Sequence, residues 1–237
     1  MRVAIHQPHY LPWLGYLHRM AAADLFVVLD HVQFERGNYQ NRTQVRVNGA
    51  PHWLTVPLVQ RSQKERILEK RIDASRDWAA LHYETLRRAY TSAGFFGMYG
   101  GRLKRIYERR WERLVDLNAA MLELLREALG IATPLIKSSE LAVTGAKSEL
   151  VLNICKAVDA RALIVGLGGS RQYLDRTAFA AAGIALEFQQ FTHPTYPQRG
   201  HRPFTPGLSA LDLLFNRGPQ SRSWLLDAQP SECRIAA

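Results

Sequence analysis

Apolar positions along the chain switch between two periods, and the switches mark its elements. Val3-Ala4-Ile5 is a short apolar run and reads as a buried strand. Pro12 then holds a favoured first-turn helix position, and Trp13, Leu14, Leu17, Met20 and Ala21 recur at helical spacing. DLFVVLD, residues 24–30, reads as a second strand that is apolar on both faces. Strand, helix and strand in that order predict a right-handed βαβ unit and a parallel sheet. Val45 and Val47 alternate with polar residues ahead of Asn48-Gly49, with Trp53–Val56 beyond, which predicts a β-hairpin. ILEKRID, residues 67–73, predicts a further strand.

Residues 78–130 are helical in pattern throughout, with breaks expected at Gly94 and Gly100-Gly101 and a glycine stop at Gly130. Strand and helix then alternate again. TPLIKSSEL is a strand running into serines, KSELVLNICKAVDA a helix, ALIVGLGGS a strand running into a glycine turn, RTAFAAAG a helix and IALEFQQF a strand. Two short helices split by Gly218-Pro219 follow. The expected class is α/β: a mostly parallel Rossmann-like sheet with an inserted β-hairpin and helical segment. One domain is expected over residues 1–228, with 58–130 as hairpin extension and helical insertion, and 229–237 as a loose tail.

Composition narrows the class. The 237 residues are 47% hydrophobic and 22% charged, which is ordinary for a soluble globular chain. No run approaches the roughly 18 uncharged apolar residues of a membrane helix. No cationic stretch followed by an apolar run opens the chain, so a cytoplasmic protein without a membrane span is expected. Cys155 lies in an apolar helical pattern and Cys233 in a polar tail, so neither a disulfide nor a metal site is expected. The formal net charge of +10 favours anionic partners: a nucleotide, a nucleotide-sugar, a phospholipid surface or RNA. The basic residues concentrate in 60–76 and 87–113. A solvated basic face explains them most simply; RNA contact through Arg61–Arg76 is the alternative, unsupported by any nucleic-acid motif.

In open parallel sheets, ligands bind beyond the carboxyl ends of the strands, and polar segments fall there. In HQPHYLP, His6 and His9 stand three apart behind the first strand, as do the histidines of the HxGH signature in nucleotidylyltransferases. Pro8 occupies the place of that signature's glycine. His6 and His9 are candidates for stabilising transferred charge; a proline-shaped loop bonded to its own backbone is the alternative. Gln7 and Tyr10 add donors. Asp30 ends an apolar run, a costly place for a charge unless it is paired or faces a ligand, and joins the two histidines as a catalytic candidate. Gln33, Asn41 and Arg42 offer donors for a carboxylate or phosphate, or form a polar turn. Gly168-Gly169-Ser170 between strand and helix is an anion cradle or a steric turn. Lys147 opens a helix, where a cation is disfavoured unless an anion is bound. His193 and Tyr196 lie between prolines after a strand. No HExxH or CxxC motif appears, and no metal is expected.

IHQPHYLPWLGYL, DLFVVLDHVQFERGNYQNR, WLTVPL, RRWERLVDLNAAML, GSRQYLD, HPTYPQ and GLSALDLLFNRGP follow one another in this order. Together they resemble the WbqC-like protein family from about Arg2 to Trp224. The matching positions are His6, Gln7, Pro8, Tyr10, Pro12, Gln33, Asn41, Arg42, Tyr173, Asp175, Pro197, Asp212 and Asn216. His9 departs, since asparagine often stands there in the family. The resemblance implies a role in surface-polysaccharide (O-antigen type) biosynthesis. It points to a transferase, of aminoacyl or acyl groups onto an amino sugar, with a nucleotide or activated acyl or aminoacyl donor as the anionic ligand. It adds Tyr173 and Asp175 to the substrate-binding candidates. The alternative function is a non-catalytic nucleotide-sugar or glycan binding protein of an envelope-assembly pathway.

Overall fold

The computed structural model describes residues 1–59, 62, 64–166, 168, 170–200 and 203–227. Five strands form one parallel sheet: β1 (Arg2–His6), β2 (Leu25–Val28), β5 (Leu135–Lys137), β6 (Ala162–Val165) and β7 (Ala185–Phe188). Their order across the sheet is β5-β2-β1-β6-β7, every pairing parallel. The chain winds from the centre to one edge, then returns to the centre and winds to the other. This is the Rossmann-like order, and the reversal between β1 and β6 is its switch point.

Side chains alternate across the sheet because the strand period is two. Ala4, Phe26 and Ile164 join the larger core with α1 (Leu14–Ala21), α2 (Trp78–Tyr90), α3 (Phe96–Glu108), α4 (Leu114–Ala128) and α8 (Ala210–Arg217). Val3, Val27, Leu163 and Val165 join the other core with α5 (Lys147–Ala157) and α7 (Arg176–Ala181). Cys155 is buried in that second core, and burial pushes its thiol up to about 12.

The hairpin is a separate two-stranded sheet of β3 (Arg42–Val47) and β4 (Ala50–Thr55). Asn48 and Gly49 take positive φ, 51° and 79°, the turn that matches strand twist. The hairpin closes before residue 58, and the stretch up to 130 carries α2, α3 and α4.

Two expected elements differ. ILEKRID is not a strand: Ile67–Glu69 is a single 3-10 turn, flanked by isolated bridges, Gln33 to Arg66, Leu58 to Ile72 and Arg71 to Arg113. Glu69 reaches back to the Arg66 backbone N–H at 2.8 Å and closes the turn before a strand can extend. Gly100 and Gly101 lie inside α3 rather than at a break. A β-carbon at Gly100 would collide with the Phe96 ring, so this glycine serves packing. The real break is at 109–113, between α3 and α4. Beyond these, α6 (Ser170–Tyr173) and α9 (Ser221–Leu226) complete the described chain, and no described helix is long and apolar enough to cross a membrane.

Candidate functional site

The carboxyl edge of the sheet carries the loops after β1, β2, β5, β6 and β7, and it divides into parts of different character. On the β2–β5 side, Asp30 is buried and fully bonded. Its Oδ1 accepts from Ser138 Oγ at 3.0 Å and from the Ser139 N–H at 2.9 Å. Its Oδ2 accepts from Ser139 Oγ at 2.7 Å. The candidate carboxylate thereby ties the end of β2 to the end of β5.

The loop after β1 carries the two histidines. His6 Nδ1 lies 3.0 Å from the Gln7 carbonyl. A carbonyl only accepts, so Nδ1 carries the hydrogen, and in the neutral ring the lone pair is then on Nε2. His9 is 5% exposed, and burial lowers it to about 3, so at neutral pH its imidazole is uncharged. The two rings meet edge to face at 4.5 Å. His9 also stacks on Tyr39 at 5.5 Å, and Tyr39 meets Trp53 of β4. An aromatic row thus runs from the hairpin to the end of β1. Gln7 Oε1 accepts from Gln40 Nε2 at 2.9 Å, while Gln7 Nε2 donates weakly to Glu35 at 3.4 Å.

A residue outside the candidate set stands at the switch point. Arg19 lies in the last turn of α1. Helical side chains lean toward the N-terminus of their helix, and Arg19 reaches the end of β6, where a β-carbon on Gly166 would collide with its guanidinium. Only a bare backbone admits that approach. Arg19 is 6% exposed, yet among the described residues it has no hydrogen bond and no ion pair, and its buried Nε has no partner. Burial lowers it to about 10, with Tyr173 opposing that shift, so it remains a cation at neutral pH. Tyr173 interacts electrostatically with both Arg19 and Glu35, and burial together with Glu35 raises its hydroxyl above the usual phenol value. Arg19, Gly166, Tyr173, Glu35 and Gln7 thereby converge from four segments of the chain.

The remaining candidates take other positions. The Tyr10 hydroxyl is buried against His82 Nδ1 at 2.9 Å and against the Tyr107 hydroxyl. Gln33 is exposed and bridges to Arg66. Asn41 donates to the Val56 carbonyl at 2.9 Å, pinning the hairpin. Arg42 donates to the Gly37 carbonyl and lies 4.1 Å over the Trp53 ring. Lys147 is exposed, with φ of 50° at the start of α5. Asp175 caps α7, accepting from the Thr177 and Ala178 N–H groups. Tyr196 donates to Asp212 at 2.8 Å. His193 is half-buried, bonded through Nδ1 to the Pro194 carbonyl at 3.0 Å, and lowered by burial. Gly168 is exposed beyond β6, and Ser170 opens α6. Gly169 and Arg61 lie outside the described residues.

The basic stretches carry acidic partners. Glu69 pairs with Arg66, Glu65 with Lys70, Glu84 with Arg87 and Arg88, and Glu127 with Arg102. Lys70 is fully buried and lies 4.7 Å from the centre of the Phe34 ring. Such pairing braces part of each stretch internally.

The model of the WbqC-like protein family matches residues 7–224. The chain belongs to the WbqC-like family. It is also 30% identical to the uncharacterized protein Rv1507c of Mycobacterium tuberculosis, over 94% of this chain and 97% of that protein. No solved structure matches. The WbqC-like match spans the β1 loop, the hairpin, the helical segment and α8 alike.

The switch-point arginine escaped the sequence reading because α1 is buried on all sides. An arginine in an amphipathic pattern reads as the solvated face. The cover over that face comes from β6 and from Gln189 after β7, which donates to the Gly15 carbonyl at 2.9 Å. The one usable signal was Gly15 and Arg19 one helical turn apart, on the side of α1 away from Leu14, Leu17 and Met20.

Proposed function

We propose that this WbqC-like protein is a group-transfer enzyme whose anionic substrate sits at the β1–β6 switch point. The observation that carries the reading is Arg19: a buried guanidinium without a carboxylate, held against a bare glycine where doubly wound sheets take their ligands. A buried unpaired charge is costly, and an incoming phosphate or carboxylate supplies the missing partner through charge-assisted hydrogen bonds. The ligand class is a nucleotide or an activated acyl or aminoacyl donor. His6 stands beside the site with a basic Nε2. In the reaction, an amine or hydroxyl of the acceptor bonds to the transferred acyl carbon, and the acyl–oxygen bond to phosphate breaks. The proton passes to His6 Nε2 and the phosphate leaves on Arg19. The family resemblance supports an amino-sugar acceptor in surface-polysaccharide synthesis.

The test is thermal denaturation with ATP, UDP-linked sugars and acetyl phosphate in turn. A ligand that binds only the folded state raises the midpoint. At least one such anion is expected to do so, and Arg19→Met is expected to abolish the rise while folding normally. An anion-induced rise that survives in Arg19→Met overturns the placement. Binding that needs Arg19 but gives no turnover, unchanged by His6→Gln, identifies a binding protein instead of a transferase.

A further inference from the structure

On the other side of the β1 loop lies a second concavity, a cavity of about 190 Å³ between α4 and the carboxyl ends of β2 and β5. Its apolar walls include Val28, Leu122, Leu135 and Ile136. Among its polar lining residues, His9 and Asn118 each hold a buried atom without a partner: His9 Nδ1 and Asn118 Oδ1. Both residues are 5% exposed or less.

The orientation of Asn118 is fixed. Its Nδ2 donates to the Gln40 carbonyl at 2.8 Å, and the reversed amide would set two oxygens face to face. Asn118 Oδ1 therefore awaits a donor. His9 is neutral at physiological pH, so it offers one ring N–H and one lone pair. Buried polar atoms are nearly always satisfied, and the two orphans belong to residues that line one cavity, where a ligand could complete the bonding.

The walls also limit what the ligand can be. The carboxylates of Asp30, Glu123 and Glu140 lie along the cavity beside a single cation, Lys137, which disfavours an anion. Those carboxylates already have partners, Asp30 in two serines, Glu123 in Arg126 and Glu140 in the Lys137 N–H, so a ligand ammonium would compete with bonds the protein makes itself. An apolar cavity of about 150 Å³ holds a benzene, so this one suits a single six-membered ring with a small substituent.

We propose that this cavity is a binding site for a neutral, ring-sized alcohol, its apolar face against β2, β5 and α4 and its hydroxyl bonded to Asn118 and His9. A hydroxyl both donates and accepts, so it can donate to Asn118 Oδ1 while accepting from a His9 Nδ1–H. The site does not depend on an anion at Arg19, although His9 in the β1 loop links the two.

The probes are cyclohexanol, methylcyclohexane, cyclohexylamine and cyclohexanecarboxylate, with binding followed by ligand-observed NMR on the full chain. Cyclohexanol is expected to bind about tenfold more tightly than methylcyclohexane, the worth of one well-formed hydrogen bond. Ala119→Phe, on the exposed side of α4 at the cavity, is expected to abolish this binding and leave the fold intact. It is also expected to leave any anion-induced stabilisation through Arg19 unchanged, which separates this site from the switch point. Equal binding of alcohol and hydrocarbon, preference for the amine or the carboxylate, no binding at all, or binding unaffected by Ala119→Phe each overturns the proposal.

Discussion

Asp212 and Arg19 are both charged and both buried, yet their surroundings are opposite. Asp212 on α8 is 1% exposed and accepts from the Tyr90 hydroxyl at 2.9 Å, the Tyr196 hydroxyl at 2.8 Å and Gln198 Nε2 at 2.9 Å. Burial raises its carboxyl above the usual range, and those three donors pull it back. Arg19 has no such company among the described residues. The contrast separates two uses of a buried charge. Asp212 fastens the segment after β7 and the hairpin side of α2 onto α8, and its bonds close within the protein. Arg19 leaves its bonding open at the one edge of the sheet where loops from distant parts of the chain converge.

The comparison can be broken most forcefully at Asp212. Asp212→Ala strands two buried hydroxyls and the half-buried Gln198 amide, and is expected to cost about 3–5 kcal/mol, read as a lowered midpoint in urea denaturation. A loss below about 1 kcal/mol would mean that the network does not hold the fold.

Acid gives the next effect. Burial lowers His9 to about 3 and His82 to about 4, from 6.5. The unfolded chain binds those protons as pH falls below 6.5 while the folded chain excludes them. Stability is therefore full above pH 6.5 and declines toward pH 4, by about 1.4 kcal/mol per pH unit for each imidazole. The raised carboxyl of Asp212 acts in the opposite sense and offsets part of the decline near its own titration. Denaturation between pH 7 and pH 5 should show the decline, and His82→Gln should flatten it.

The smallest effect is the most telling. Arg19→Met replaces an unpaired buried charge with an apolar chain of similar length, and is expected to leave stability unchanged or raise it by about 1 kcal/mol. A loss of several kcal/mol would show that Arg19 braces the fold as Asp212 does, and the distinction between them would collapse.

Much of this architecture could be read from the chain. The first strand, α1 and β2 followed from a period change around Pro12, and the hairpin from Asn48-Gly49. The alternating strands and helices after residue 130 followed from short apolar runs bounded by glycine and serine. The misreadings have local causes. ILEKRID has a strand-like composition, but the reach of Glu69 back to Arg66 turns it. Gly100-Gly101 looks like a stop, but Phe96 needs that space within the helix.

The site was legible as a set of loops and less so as a set of atoms. Tyr173 interacts with Arg19 and with Glu35, and Gln7 reaches the same Glu35. Tyr10, Tyr196, Asn41 and Asp30 are bonded to groups that no local pattern reveals, such as Tyr107 and Ser139. Those partners lie far along the chain, and only the folded topology brings them together.

The central position of β1 bears on how the molecule comes into being. β1 is hydrogen-bonded on one side to β2 and on the other to β6. The first partner follows almost at once in the sequence, whereas the second arrives only after the hairpin, the helical segment and α5. Until β6 is in place, the middle of the finished sheet is an open edge, a template for pairing with another chain. Distant strand pairing is slow to form. Pairing of β1 with β6 is thus a distant step in assembling the sheet, and that same joint completes the switch point: Arg19 meets Gly166 only when the sheet has closed.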